Sequence, residues 1–172
     1  MSTALIPGSF DPITLGHLDV ITRTAARFTK VTVAVMTNDM QKYVPGVPEK
    51  SYMFTMAQRK DLAEAACAHI PNVRVIAASG MLIRLAETVG ADWIIKGVRS
   101  VADFEYEQKH ALYNRAHEPS VETLYMPADP AFDGLSSTLV RERIRSGASL
   151  TGYLPEPVIA MIRAYGVTDA HL

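Results

Sequence analysis

Short apolar runs of strand length alternate along this chain with segments whose apolar residues return at helical spacing. The strand-like runs cover residues 4–6, 31–36, 73–77, 93–96 and 123–126. Between them the 3.6-residue period predicts helices over 15–28, 55–69, 81–89 and 101–117. Thr55-Met56-Ala57-Gln58 has the spacing of a capping box, and Leu62, Ala65, Ala66 and His69 recur along the helix it opens. Two further helices are predicted, one starting near Ser136 or Ser137 and one following Leu154-Pro155-Glu156-Pro157 to about Tyr165. The strands are rich in Val and Ile without polar alternation, so burial on both faces is expected, as in a parallel sheet covered by helices. The pattern predicts a doubly wound α/β fold, a five-stranded parallel sheet with ligands at its carboxyl edge, followed by C-terminal helices. The stretch 38–52 carries two prolines, a glycine and two lysines and reads as a long loop. No repeat or internal boundary interrupts the pattern, so one domain over 1–172 is expected.

Composition narrows the class. Hydrophobic residues are 48% and charged residues 20%, a globular rather than a disordered profile. Lys plus Arg number 17 against 18 Asp plus Glu, which gives no general attraction to nucleic acid. An anion site must therefore come from local placement of cations. No apolar run reaches membrane-span length, and the chain opens on a strand without the charged and apolar regions of a signal peptide. A cytoplasmic enzyme is the expectation. Cys67 is the single cysteine and lies in a helical run of alanines, where a buried structural thiol is expected over a nucleophile.

The densest chemistry lies in Gly8-Ser9-Phe10-Asp11-Pro12-Ile13-Thr14-Leu15-Gly16-His17, between the first strand and the first helix. A tight turn feeding a helix N-terminus leaves backbone N–H groups unpaired and aims the positive end of the helix dipole at them. Phosphate is the natural occupant, with Ser9 as a hydroxyl donor and His17 as an imidazole in the first helical turn. Other phosphate and metal chemistries lack their residues. There is no Walker A sequence, no Gly-x-Gly-x-x-Gly after the first strand and no nucleophile elbow. His110 and His117 stand seven apart without a Cys/His cluster, so no protein metal site is expected.

Ser9-Phe10-Asp11-Pro12 followed by Thr14-Leu15-Gly16-His17 resembles the (His/Thr)-x-Gly-His signature of the nucleotidyltransferase superfamily. Its members join a nucleotide's α-phosphate to an acceptor and release pyrophosphate. Lys96-Gly97-Val98-Arg99-Ser100-Val101-Ala102-Asp103-Phe104-Glu105-Tyr106-Glu107 resembles a block of the bacterial phosphopantetheine adenylyltransferase family. Leu135-Ser136-Ser137-Thr138-Leu139-Val140-Arg141 is similar to that family's ATP-contacting Ile-Ser-Ser-Ser segment, and Leu154-Pro155-Glu156 extends the likeness toward the end. The resemblance implies a Rossmann-like nucleotidyltransferase fold. It implies transfer of adenylyl from ATP to 4′-phosphopantetheine, giving dephospho-coenzyme A, with Mg²⁺ accompanying ATP.

The resemblance also implies roles. His17 and Arg99 are catalytic, Ser9 and Phe10 belong to the phosphate turn, and Gly97, Val98, Arg99 and Glu107 lie at the nucleotide. Phe132, Asp133, Gly134, Leu135, Ser136, Ser137 and Thr138 surround adenine and the triphosphate. Lys96 and Ser9 hold the acceptor's phosphate, and Leu82 meets its pantetheine arm. A lysine between strand two and helix two completes the reacting-phosphate site. Lys42 fits counting forward from the strand, one place late, and Lys50 fits counting back from Met53-Phe54, the side favoured by the register downstream. The segment is longer than in the family. Ser9 stands where many members have threonine, Thr138 replaces a serine, and Gly134 replaces an aromatic.

Bland readings stand beside these: Glu107 could pair with Lys109, and Arg141, Arg143 and Arg145 are expected to form an ordinary polar helix face. The alternatives to this acceptor are another phosphate such as nicotinamide mononucleotide, cytidylyl transfer, or a non-catalytic nucleotide or coenzyme A sensor. The family also implies a homohexamer and coenzyme A as feedback inhibitor.

Overall fold

The structure is a computed structural model that describes residues 2–37 and 51–166. Five strands, β1 (Thr3–Gly8), β2 (Lys30–Met36), β3 (Val73–Ala78), β4 (Trp93–Val98) and β5 (Glu122–Pro127), form one sheet in the order β3-β2-β1-β4-β5. Every pairing is parallel. Helices α1 (Leu15–Ala25), α2 (Met56–Cys67), α3 (Leu82–Val89) and α4 (Val101–His117) connect them. Then a 3-10 turn over Pro130–Phe132 leads to α5 (Ser137–Arg145) and α6 (Glu156–Ala164). Strand order reverses between β1 and β4, which opens a crevice at the carboxyl ends of those two strands.

The two-residue period of the strands divides the core in two. Ala4 and Ile6 of β1, Val31, Val33 and Val35 of β2, and Ile95 of β4 face α1, α2, α5 and α6. Leu5, Ala34, Met36 and Ile94 point the other way, onto Ile83 and Ala86 of α3. Burial on both faces therefore holds for the inner strands, and β2 is buried from Val31 onward. The edges correct the expectation: no residue of β3 or β5 is fully buried. An outer strand has one neighbour, and one of its flanks meets solvent, whatever its side chains.

Helix starts follow their caps. Thr55 and Gln58 make the predicted capping box on α2. The buried face of α2 is Arg59, Leu62, Ala63, Ala66 and Cys67, and His69 lies exposed beyond the helix end. The face is rotated from the predicted one, and α2 packs on α6 as well as on the sheet. Cys67 is buried, and desolvation pushes its thiol up to about 11, as suits a structural thiol. Among the described residues no helix is long and apolar enough to cross a membrane.

Candidate active site

A cleft of about 320 Å³ opens where the strand order reverses. Three helix N-termini form its walls. Thr14, Gly16 and His17 come from the start of α1, Ser136, Ser137 and Thr138 from the start of α5, and Asp103, Tyr106 and Glu107 from the first turns of α4. Gly97 of β4 forms part of the floor, against Val20 of α1. A Cβ at Gly97 would stand 3.2 Å from the Val20 side chain, so glycine lets β4 and α1 close together there.

The α1 terminus is built by a capping box. Thr14 Oγ1 accepts from His17 N (3.3 Å), while Thr14 N donates to His17 Nδ1 (3.0 Å). A backbone N–H can only donate, so Nδ1 presents its lone pair and the proton of the neutral ring resides on Nε2. The ring stacks edge-on to Phe10 at 5.1 Å. The cap thus settles both the tautomer and the orientation of the imidazole, leaving its Nε2–H as a donor.

The turn before α1 is held from several directions. Phe10 has φ +46, an uncommon conformation for a residue with a side chain, and its ring is buried against Gly8. A Cβ at Gly8 would lie 2.8 Å from that ring, so the turn needs glycine. The Asp11–Pro12 peptide is cis. Arg59 donates to Ser9 O (2.6 Å), Arg141 to Asp11 O (2.7 Å) and Ser137 Oγ to Pro12 O (2.9 Å). The buried Asp11 carboxylate accepts from Met53 N and Phe54 N, both at 2.9 Å, at the entrance to α2.

Positive charge is supplied by Arg99 and Arg141. Arg99 Nε donates to Asp103 Oδ2 (3.0 Å) and its terminal nitrogen to Leu135 O (3.2 Å), which lays the guanidinium across the cleft mouth. Arg141 lines the same cleft and donates to Thr138 Oγ1 (3.0 Å). This corrects its expected place on a plain polar face: one helical turn separates it from Ser137, on the side of α5 that meets the turn before α1. Arg143 lies over the Tyr153 ring and Arg145 is exposed, in keeping with that expectation. Glu107 pairs with Lys96 Nζ at 2.9 Å, not with Lys109, and His110 Nδ1 lies 3.5 Å from the same oxygen. Burial alone would raise the Glu107 carboxyl, but His110 and Lys96 together outweigh it and hold it at about 2.

Of the sequence-predicted residues, the cleft wall unites His17, Gly97, Arg99, Glu107, Phe132, Leu135, Ser136, Ser137 and Thr138. Ser9 and Phe10 lie behind it in the turn, and Lys96 reaches it through Glu107. Val98 is engaged in β5 pairing, its carbonyl accepting from Ala128 N. Asp133 and Gly134 line an adjoining depression with Phe132, Leu135 and Tyr153. Leu82 packs on the second core at the head of α3 and does not line the cleft. Lys42 and Lys50 lie outside the described residues. Sequence reasoning missed Thr14, Asp103, Tyr106 and Arg141 as cleft residues, although Asp103 and Tyr106 share one helical face with the predicted Glu107. Among the described residues no group of three or more His, Cys, Asp or Glu is placed to hold a metal.

A cleft at the strand-order reversal, walled by helix N-termini and arginines, is a nucleotide-binding arrangement. Residues 5–143 match the cytidylyltransferase-like family model. Similar proteins named phosphopantetheine adenylyltransferase include those of three bacteria. That of Heliobacterium modesticaldum is 41% identical over 169 residues, 98% of this chain and 95% of the relative. That of Caldanaerobacter subterraneus subsp. tengcongensis is 42% identical over 92% of this chain and 93% of the relative, and that of Staphylococcus carnosus 41% over 91% and 92%. The chain is thus a nucleotidyltransferase of the cytidylyltransferase-like class. Within that class it belongs to the phosphopantetheine adenylyltransferase family.

Proposed function

We infer that this protein transfers the adenylyl group of ATP to 4′-phosphopantetheine, giving dephospho-coenzyme A and pyrophosphate. The observation that carries the chemistry is the convergence of the α1 and α5 N-termini, Arg99, Arg141 and the His17 imidazole on one cleft. An oxygen of the acceptor's phosphate attacks the α-phosphorus in line, and the bond to the bridging oxygen breaks as pyrophosphate departs. Charge grows on the non-bridging and leaving oxygens, so positioning and electrostatics supply most of the catalysis. In this reading the His17 Nε2–H donates to a non-bridging α-phosphate oxygen, and the α1 dipole adds to it.

Arg99 and Arg141 neutralise the β- and γ-phosphates, and Ser136, Ser137 and Thr138 offer hydroxyls and the α5 amides. Ser9 and Phe10 contribute the turn's donors, while Phe132, Asp133, Gly134 and Leu135 bound the adenine side. Lys96 holds the acceptor's phosphate and Glu107 the nucleotide, and their ion pair fixes each beside the other. The pantetheine arm follows the carboxyl edge of the sheet toward Leu82, and Lys50 or Lys42 reaches the reacting phosphates. Asp103 and Glu107 are already engaged by cations, so Mg²⁺ would ride on the phosphates of ATP and on water, where it offsets their charge.

The same reading carries a homohexamer, with coenzyme A as a feedback ligand of the acceptor site. Supporting assembly, the 17-residue α4 has Asn114 as its one buried residue and exposes Val101, Leu112 and Tyr113.

Pyrophosphate release from ATP, with each acceptor offered singly, tests the reaction. Release is expected with 4′-phosphopantetheine and not with nicotinamide mononucleotide. The reverse pattern would sink this acceptor, and release with neither would leave a sensor.

A further inference from the structure

We propose that Arg59 is a positioning residue for this reaction: by holding the Ser9 carbonyl from behind, it aims the Phe10 amide at the nucleotide's phosphate. The proposal rests on the adenylyl-transfer reading. Arg59 lies in α2, outside the cleft, yet it is 1% exposed and the largest fully buried side chain among the described residues. One terminal nitrogen donates both to Ser9 O (2.6 Å) and to Met36 O (3.1 Å), at the carboxyl ends of β1 and β2. Its guanidinium lies 4.1 Å over the Tyr52 ring, with Asp11 as the nearby counter-charge.

Packing does not account for this residue. An apolar side chain of similar volume would seat α2 on the sheet without burying a cation, and such replacements are often neutral or stabilising. Moreover, Arg59 Nε has no hydrogen-bond partner among the described residues, a cost that α2 bears without gain in packing.

What the guanidinium secures is a peptide plane. Ser9 C=O and Phe10 N–H belong to one planar trans unit, so they point in opposite directions. Fixing the carbonyl toward Arg59 sends the amide away from α2. That amide begins a residue at φ +46, a conformation that persists only where its surroundings hold it. The two other fastened carbonyls of the turn, those of Asp11 and Pro12, are held by Arg141 and Ser137 from α5, inside the nucleotide site. Arg59 holds a carbonyl from the opposite side, where the Asp11 carboxylate also meets Met53 N and Phe54 N, and it ties the turn to the end of β2.

The test compares the full-length wild type with Arg59→Lys and Arg59→Met. It reads kcat, affinities for ATP and for adenosine by calorimetry, and the melting temperature. Arg59→Met is expected to lose on the order of 10² in kcat, the scale of a misplaced catalytic group. ATP affinity should fall while adenosine affinity is kept, because the misaimed donor serves phosphate alone. Arg59→Lys should restore part of kcat, since an ammonium can donate to the Ser9 carbonyl but lacks the planar guanidinium that lies over Tyr52. It also keeps the test decisive should Arg59→Met fail to fold. Wild-type kcat and an undiminished preference for ATP over adenosine in either folded variant, with only the melting temperature lowered, would overturn the proposal. Failure of the underlying reading is seen separately, as a wild type that releases no pyrophosphate before any variant is assayed.

Discussion

The His17 imidazole is useful because of a bond it makes on its quieter side. By accepting from Thr14 N, its Nδ1 assigns the proton to Nε2, so the ring can act as a donor without being charged. Replacing His17 with alanine removes that donor but leaves the arginines and helix N-termini proposed to hold ATP. Turnover should fall by about 10²–10³, the loss seen for a single oxyanion donor, with ATP binding largely retained in calorimetry. Comparable losses in both would place His17 in ground-state binding instead. Glu107 carries a pH signature. Its carboxyl is held at about 2 against an ordinary 4.5, so its ion pair contributes stability that is full above pH 4.5. That contribution is lost as pH falls toward 2. In acid-unfolding measurements, the stability gap between wild type and Glu107→Gln should be constant near neutrality and shrink through that window.

At the scale of elements, helix termini do the work. α1, α4 and α5 each begin with a hydroxyl cap, Thr14, Ser100 and Ser136, and each sends its first turns to the cleft. Capping and anion binding draw on the same unpaired amides, so one choice of residue serves both. The connection between β2 and α2 should supply one further cation. With Lys42→Ala and Lys50→Ala assayed separately, one variant should lose on the order of 10² in kcat while the other stays near wild type. Small and equal losses would dismiss a single catalytic lysine in that connection. Asp11 shows why this segment matters to the turn, since its carboxylate holds the amides of Met53 and Phe54 as the chain returns.

At the scale of the molecule, α4 is the element whose sequence is least satisfied by its own chain. Leu112 is 63% exposed, and a substitution there should alter monomer stability by no more than about 0.5 kcal/mol. If α4 lies between subunits, Leu112→Asp will lower the mass seen by light scattering while leaving the circular dichroism spectrum intact. An unchanged mass would move the interface elsewhere.

The alternation of strands and helices, the parallel sheet and the tight turn ahead of α1 were all legible in the linear pattern, because burial and capping act over a few neighbouring residues. So were most of the cleft's residues, since they follow directly on strand ends and helix starts. Position across the fold was not. Arg141 belongs to the cleft because α5 docks beside the turn, more than a hundred residues earlier in the chain, where it reaches Asp11 O. Glu107 finds Lys96 across the β4–α4 corner instead of its i,i+2 neighbour Lys109, and Arg59 becomes a clamp because α2 seats it beneath β1 and β2. Local periodicity determined the elements and the kind of chemistry they carry. Which charges meet, and which carbonyls are held from behind, was decided only when the sheet brought distant segments within hydrogen-bonding reach.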